Sequence, residues 1–318
     1  MSEIEPSFSR QNPETSASRS PLKLLIPLYP DPSGTVPTET YWSEVAAAAT
    51  KVDITVVVNP DNGPNLKKEQ DYEGYRQGLK ILRDAGVQIL GYVFTGRGLC
   101  FPVPPHGKVC KKEIKFGEPG NEIYIPAPPL SKIQKEVDTY YEKFEDLIDG
   151  IFFDEFANPI KDKDQLAAYI GLCDYVKQKE NQIVVVNPGT KVELNPNPAG
   201  LDFADLFGNA ADVFVVYENK PENPTSSETD EPEKQWVKKD YSDEREYTSQ
   251  FACLLYSAPV NRLEAYIDHA IEQGFGFIYI TSNTDTLNPW SNLPEKSYWD
   301  QEVSYIACVE AQAEESEV

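Results

Sequence analysis

Two hydrophobic periods alternate along this chain. Short, nearly continuous runs of β-branched and aromatic residues recur: KLLIPLY (Lys23 to Tyr29), ITVVVNP (Ile54 to Pro60), QILGYVFT (Gln88 to Thr95), GIFFDE (Gly150 to Glu155), IVVVNPG (Ile183 to Gly189), VFVVYE (Val213 to Glu218), FACLLYS (Phe251 to Ser257) and FGFIYITS (Phe275 to Ser282). Runs of this kind suit strands buried on both faces, as in a parallel sheet. The seventh is open to a second reading, as the continuation of a helix from Glu244. Between the runs, apolar residues return at three- and four-residue spacing. Tyr72, Tyr75, Leu79 and Leu82 share one helix face, and Ala85-Gly86 supplies a glycine stop. Ile133, Val137, Tyr140, Phe144 and Leu147 mark a further helix, as do Leu166, Ile170, Cys173 and Val176, and then Leu263, Tyr266, Ile267, Ala270 and Ile271. Ser131 with Gln134, and Asn261 with Glu264, are the capping pairs expected at two helix starts. Strict strand–helix alternation predicts the α/β class and a single (β/α)8 TIM barrel rather than an open sheet.

Two segments break the rhythm and predict loop insertions after strands 3 and 6. Arg97 to Leu130 is dense in Pro and Lys, and Asn219 to Asp243 is acidic and Pro-rich. Both follow strand C-termini, so both are expected to overhang the mouth of the barrel, where active sites sit. Residues 1–20 are polar and rich in Ser, Pro and Glu, and read as a disordered arm. A single domain is expected over 21–310, with an acidic tail at 311–318.

Composition narrows the function. The 318 residues are 40% hydrophobic and 11% aromatic, enough for a sizeable core, and the formal net charge is -23. A surface this negative repels phosphate backbones and anionic lipid, so neither nucleic acid nor a membrane is expected as a partner. No run approaches the roughly 20 apolar residues of a membrane span. The N-terminal stretch lacks an apolar core of the secretory type, which predicts a cytoplasmic protein unless it leaves the cell by another route. Five Cys (Cys100, Cys110, Cys173, Cys253, Cys308) are too few for a disulfide scaffold. Cys173 and Cys253 fall in core patterns, whereas Cys100 and Cys110 flank a Pro-rich loop and could form a local bridge after export. With two His, a His-rich metal site cannot be built, and no metal or organic cofactor is expected. No obligate protein partner is evident either.

The chemistry-bearing residues cluster at strand ends. Strand four ends in Phe152-Phe153-Asp154-Glu155 and strand six in Tyr217-Glu218. Carboxylates directly after such apolar runs are poorly explained by folding, because they must be partly desolvated or face the open mouth. Alternation along a strand points Asp154 and Glu155 to different sides, so the expected working pair is one of them with Glu218. Two carboxylates across one mouth, one ionised and one kept protonated, are what glycosidic cleavage requires. Other catalytic sets are missing from the sequence. There is no GxSxG elbow, GxGxxG or GxxxxGK, and His106 and His269 are badly placed for a triad. The loops SAPVN and TSNTD after strands seven and eight lack phosphate-binding glycines. A weak internal echo, VVVNPDNGP around Asn59 and VVVNPGT around Asn187, sets an Asn at a strand end. Those amides serve either sugar hydroxyls or turns.

Six motifs in order, PLYP (Pro27 to Pro30), NPDNGP (Asn59 to Pro64), GYVFT (Gly91 to Thr95), DGIFFDE (Asp149 to Glu155), NPGT (Asn187 to Thr190) and YEN (Tyr217 to Asn219), resemble the spherulin-4 family over about Leu22 to Ile306. The resemblance implies a (β/α)8 glycoside hydrolase acting on α-1,4-linked, galactosaminogalactan-like polysaccharide. Its acidic trio corresponds to Asp154, Glu155 and Glu218. Asp154 is then expected as nucleophile or charge stabiliser, Glu218 as general acid/base and Glu155 as support, with exchange of the first two roles open. Tyr29, Asn59, Asn62, Tyr92, Thr95, Asn187, Tyr217, Tyr256 and Trp290 are the expected substrate-binding residues for a polysaccharide or oligosaccharide. The chain departs from the family pattern in two places: Gly96-Arg97-Gly98 replaces a short Tyr-Gly segment, and Tyr256 stands where a His is expected. A non-catalytic carbohydrate-binding or encystment/stress protein on the same barrel is the alternative. An intracellular barrel enzyme acting on a small sugar is a further one.

Overall fold

A computed structural model describes residues 21–32, 38–101, 111–116, 123–179, 182–191, 210–221, 235–284 and 288–316. The chain forms β1 (Lys23–Leu28), α1 (Thr38–Ala48), β2 (Ile54–Val58), α2 (Glu69–Asp84), β3 (Gln88–Phe94), the pair β4 (Glu113–Phe116) and β5 (Ile123–Pro126), and α3 (Leu130–Phe144). There follow β6 (Gly150–Asp154), α4 (Lys163–Lys177), β7 (Ile183–Val186), β8 (Val213–Asn219), β9 (Phe251–Leu255), α5 (Leu263–Gln273), β10 (Phe277–Ile280) and α6 (Lys296–Ser316). Eight strands close into a barrel in the order β1-β10-β9-β8-β7-β6-β3-β2, every adjacent pair parallel. All eight expected runs are strands of this barrel, which is the (β/α)8 architecture read from the hydrophobic pattern.

The seventh run resolves as a strand. Two short 3-10 turns, Ser242–Glu244 and Thr248–Gln250, lead into β9, whose five residues are all buried. The two capping pairs are not used. Pro129 is the N-cap of α3, so Ser131 already lies inside the first turn and no side chain caps it. Asn261 sits in a 3-10 turn, Val260–Arg262, that precedes α5. In both cases a proline, Pro129 or Pro259, fixes the backbone just ahead of the helix and moves its start away from the capping residue. Leu147 falls in a 3-10 turn beyond α3 rather than on its face. The tail expected from Ala311 is helical as far as Ser316, and residues 1–20 lie outside the described residues.

The insertions carry structure of their own. β4 and β5 pair antiparallel, with Ile114 opposite Ile125 and Phe116 opposite Ile123. Ile114 is buried, and Phe116 tilts against Phe94 at the end of β3 with ring centroids 6.4 Å apart. The hairpin is therefore fastened beside the mouth. Behind the second insertion, Trp236 is fully buried, donates its Nε1 hydrogen to the Tyr266 carbonyl at 3.1 Å and meets Phe275 edge-on. That end of the insertion belongs to the core.

Cys173 and Cys253 are buried free thiols, as expected, and burial pushes Cys173 up to about 12. Cys100 is disulfide-bonded, and Cys110 lies outside the described residues. No helix among the described residues is long and apolar enough to cross a membrane.

One close approach fixes how α3 lies on the sheet. A Cβ on Gly91 of β3 would sit 2.7 Å from the Tyr140 ring, and Tyr140 is held by its hydroxyl hydrogen bond to the Val58 carbonyl at 3.2 Å. Gly91→Ala should therefore cost about 1–3 kcal/mol, the usual range for overpacking a tight core. Matched thermal melts of parent and variant check this; an unchanged midpoint would contradict the packing described.

Candidate active site

The barrel order places β7 between β6 and β8. Residues at the C-terminal ends of these three strands are thus brought side by side, and they are Asp154, Asn187 and Glu218. The backbone pins them there. Asn187 donates its N–H to the Phe153 carbonyl at 2.9 Å, and its own carbonyl accepts from Phe156 at 2.9 Å. Gly189 and Glu218 exchange strand-like bonds, the Gly189 N–H to Val215 and the Glu218 N–H to the Gly189 carbonyl, both 3.1 Å.

The side chains meet through one amide. Asn187 Nδ2 donates to Asp154 Oδ1 at 2.8 Å and to Glu218 Oε2 at 2.6 Å. Those two bonds laid end to end bound the separation of the carboxylate oxygens at 5.4 Å. The remaining oxygens are held as well: Tyr92 donates its hydroxyl to Asp154 Oδ2 at 2.7 Å, and Trp290 donates Nε1 to Glu218 Oε1 at 3.0 Å. Asn187 is 5% exposed, and its Oδ1 is buried without a hydrogen-bond partner among the described residues.

Two carboxyls so close and so sheltered resist ionising together. Burial, and then the charge of Glu218, push Asp154 up to about 7, against the hydrogen bond from Tyr92, which favours the carboxylate. Burial also raises Glu218, opposed by the Asn187 and Trp290 hydrogen bonds. The pair is thus set to hold a single proton near neutral pH. Burial raises the Tyr92 hydroxyl far above its ordinary range, as does the Asp154 charge, so Tyr92 stays a neutral donor.

Glu155 does not follow strand alternation. The strand ends at Asp154, and Glu155 adopts a left-handed φ of 50°. This turns it toward the same cleft, contrary to the opposite-side placement expected from the sequence. Arg97 meets it there, with Nε donating to Glu155 Oε2 at 2.5 Å and the Arg97 N–H to the Glu155 carbonyl at 2.7 Å. A cleft of about 240 Å3 is lined by Arg97, Asp154, Glu155, Asn187, Thr190 and Glu218 among others.

The substrate-binding expectations divide. Tyr92, Asn187 and Trp290 touch the carboxyl pair. Tyr29 lies edge-on to Tyr92 at 5.8 Å and Tyr256 edge-on to Trp290 at 5.9 Å, so each packs behind a residue that touches the pair. Thr95 is fully buried, and its hydroxyl is spent on the Asp154 and Glu155 carbonyls, 2.9 and 2.7 Å. It holds the strand end, and its hydroxyl is turned to the backbone rather than into the cleft. Tyr217 is buried against Trp236, centroids 5.1 Å apart, with its hydroxyl on the Lys220 carbonyl, because an irregularity in β8 between Val215 and Tyr217 interrupts the register. Asn59 caps a turn by accepting the Gly63 N–H at 2.8 Å, and Asn62 occupies that turn with a φ of 50°. Neither touches the carboxyl pair. Sequence reasoning missed three polar cleft residues: Arg97, Asn158 and Thr190. The Asn158 amide donates to the Thr190 hydroxyl at 2.7 Å. The Gly-Arg-Gly run directly after β3 was a signal for the first and the NPGT motif for Thr190; Asn158 carries none.

With the geometry in place, similarity to known proteins adds the lineage. A Spherulin-4 of Physarum polycephalum is 24% identical over 298 residues, covering 92% of this chain and 72% of that protein. The crystal structure of Aspergillus clavatus Sph3 in complex with GalNAc shares the fold, with a TM-score of 0.59 and 21% identity over 91% of this chain and 98% of that one. A GH5_18 enzyme from Bifidobacterium longum in complex with Manb1-4GlcNAc shares it more distantly, with a TM-score of 0.51 and 12% identity over 91% of this chain and 78% of that one. Residues 23–306 match the spherulation-specific family 4, and the chain belongs to that family.

Proposed function

We propose that this protein is a glycoside hydrolase that cleaves an α-1,4-linked, amino-sugar-containing polysaccharide from within the chain, with retention of configuration. The observation that carries the reading is the Asn187 amide bridging Asp154 and Glu218, which holds two half-buried carboxyls with their facing oxygens inside 5.4 Å. Retaining glycosidases hold their carboxyls about 5–5.5 Å apart, whereas inverting ones leave about 6.5–9.5 Å for a water. The amino-sugar part draws support from the family resemblance and from GalNAc in the Sph3 complex.

In this mechanism Asp154 is the nucleophile and Glu218 the general acid/base. Glu218 protonates the departing glycosidic oxygen while Asp154 closes on the anomeric carbon and forms a covalent glycosyl ester. Glu218, now ionised, takes a proton from water, which attacks the ester and frees Asp154. The Tyr92 hydroxyl supports this division, because its hydrogen bond strengthens as Asp154 regains full negative charge. Trp290 orients Glu218, and Glu155 is a positioning residue paired with Arg97.

Incubation with purified α-1,4-linked N-acetylgalactosamine polymer should release oligosaccharides whose new reducing ends appear first as the α-anomer by proton NMR. An initial β-anomer would contradict retention, and binding without cleavage would favour a carbohydrate-binding protein instead. Asp154→Asn should lower turnover at least 100-fold on every substrate. Glu218→Gln should fall about 100- to 10,000-fold on the polymer, yet keep more activity on an aryl glycoside whose leaving group needs no proton. Near-parental turnover for both amides, with unchanged melts, would overturn the assignment.

The shared proton sets the pH dependence. Asp154 is pushed up to about 7 with Glu218 beside it, and coupled carboxyls titrate as a pair. The pair's single proton, which the reaction draws from Glu218, is therefore progressively lost above neutrality, and kcat/KM should fall on an alkaline limb near that value. On the acid side the pair takes a second proton and activity falls again. A profile flat from pH 6 to 9 would contradict the coupling.

We also place the protein in an oxidising compartment, on the strength of the disulfide at Cys100. Thiol titration of the denatured, unreduced chain should find Cys173, Cys253 and Cys308 reactive, three in all. Five would contradict the bridge.

A further inference from the structure

The Gly96-Arg97-Gly98 turn after β3 is shaped to aim one side chain. All three residues have left-handed φ values, 65°, 53° and 55°. Glycine adopts that region freely, but Arg97 does so against steric preference, a state that persists only where the surroundings enforce it. The surroundings here do. A Cβ on Gly96 would sit 2.6 Å from Pro128, and one on Gly98 would sit 2.9 Å from both Gln165 and Tyr169. Gln165 Nε2 donates to the Arg97 and Gly98 carbonyls, each at 3.1 Å.

The guanidinium so placed is only partly used. Its contact with Glu155 runs through Nε alone, not through the two-pronged fork common for arginine and carboxylate. Among the described residues neither Nη atom has a hydrogen-bond partner. Half of the Arg97 side chain is exposed, and it borders the same cleft as Asp154. Two open Nη groups, with four N–H donors between them, therefore belong to a residue that lines the cleft beside the nucleophile of the proposed reaction.

The local charges decide what they hold. Glu155 already balances the guanidinium, and the Asp154–Glu218 pair adds about one negative charge. A uronate or sulfate would enter against that charge. A free ammonium offers no acceptor to the Nη donors. A neutral oxygen acceptor satisfies the donors with neither penalty, and on an amino sugar the acetyl carbonyl is the acceptor that the free amine lacks.

We propose that Arg97 is a specificity-determining residue whose open Nη edge donates to the carbonyl oxygen of an N-acetyl group on the sugar bound beside Asp154. The site then takes the N-acetylated sugar and discriminates against its free-amine form. This rests on the amino-sugar reading above and sharpens it to one substituent.

The test uses the full chain carrying Glu218→Gln, so that ligand is bound without turnover. Calorimetry would compare an α-1,4-linked N-acetylgalactosamine oligomer, the same oligomer chemically de-N-acetylated, and an oligogalacturonate. The acetylated oligomer should bind tightest. Adding Arg97→Gln should weaken it about ten- to hundredfold, the usual worth of a hydrogen bond to a charged group, and leave the free-amine oligomer unweakened. Adding Glu155→Gln instead should keep the acetyl preference, which separates ligand contact from support of Glu155. Equal weakening of both amino-sugar oligomers by Arg97→Gln, no weakening of either, loss of the preference in Glu155→Gln, or a preference for oligogalacturonate would each overturn the proposal while leaving the amino-sugar oligomers as ligands or not on their own evidence. If neither amino-sugar oligomer binds, both the proposal and the amino-sugar reading fall.

Discussion

One amide holds the site together. Asn187 Nδ2 reaches both Asp154 and Glu218, and it does so because β7 runs between β6 and β8 in the closed barrel. The amide replaces part of the hydration that two carboxyls lose on entering the mouth, and its two hydrogens fix their separation. A hydrogen bond to a charged group contributes about 1.5–3 kcal/mol, less than the cost of burying two carboxylates ionised together. The remainder of the conflict is relieved by a proton. The arrangement that makes the pair tolerable in the fold is therefore the same one that prepares it for acid–base work.

The surrounding residues follow from that constraint. Tyr92 and Trp290 satisfy the outer oxygens. Thr95 ties down the two carbonyls at the end of β6, so the strand stops where the chemistry starts. Beyond it Glu155 leaves the strand conformation and faces Arg97, which is itself in left-handed backbone. Two non-glycine residues in that region, bonded to each other through backbone and side chain, mark a segment shaped by its site more than by local preference. The net charge of -23 adds a repulsive field against anions approaching this mouth.

Much of this was legible in the sequence. The runs from Lys23 to Ser282 gave the strands because a strand buried on both faces must be apolar throughout, and Asp154 and Glu218 stood out because that rule breaks at their positions. Asn187 was visible only as a strand-end Asn beside Asn59, and nothing local told the bridging amide from the turn cap. Their difference is tertiary: β7 has a carboxylate-bearing neighbour on each side, and the loop after β2 does not. Thr95 and Tyr217 were misread for a related reason. At the end of a strand the choice between mouth and interior depends on register, and the irregularity in β8 at Val215 and Tyr217 is silent in the hydrophobic pattern. The capping pairs failed because Pro129 and Pro259 set the helix starts, and the hairpin at Glu113–Pro126 was hidden in a segment read as loop for its Pro and Lys content.

The account depends most on the claim that Asp154 and Glu218 share one proton. Carboxyl 13C NMR titration measures this directly and needs no substrate, with the two signals assigned by their disappearance in Asp154→Asn and Glu218→Gln. Asp154 should titrate near 7 and Glu218 above the ordinary glutamate range, and each removal should shift the other signal's midpoint. Two independent titrations near pH 4, unaffected by loss of the neighbour, would contradict it.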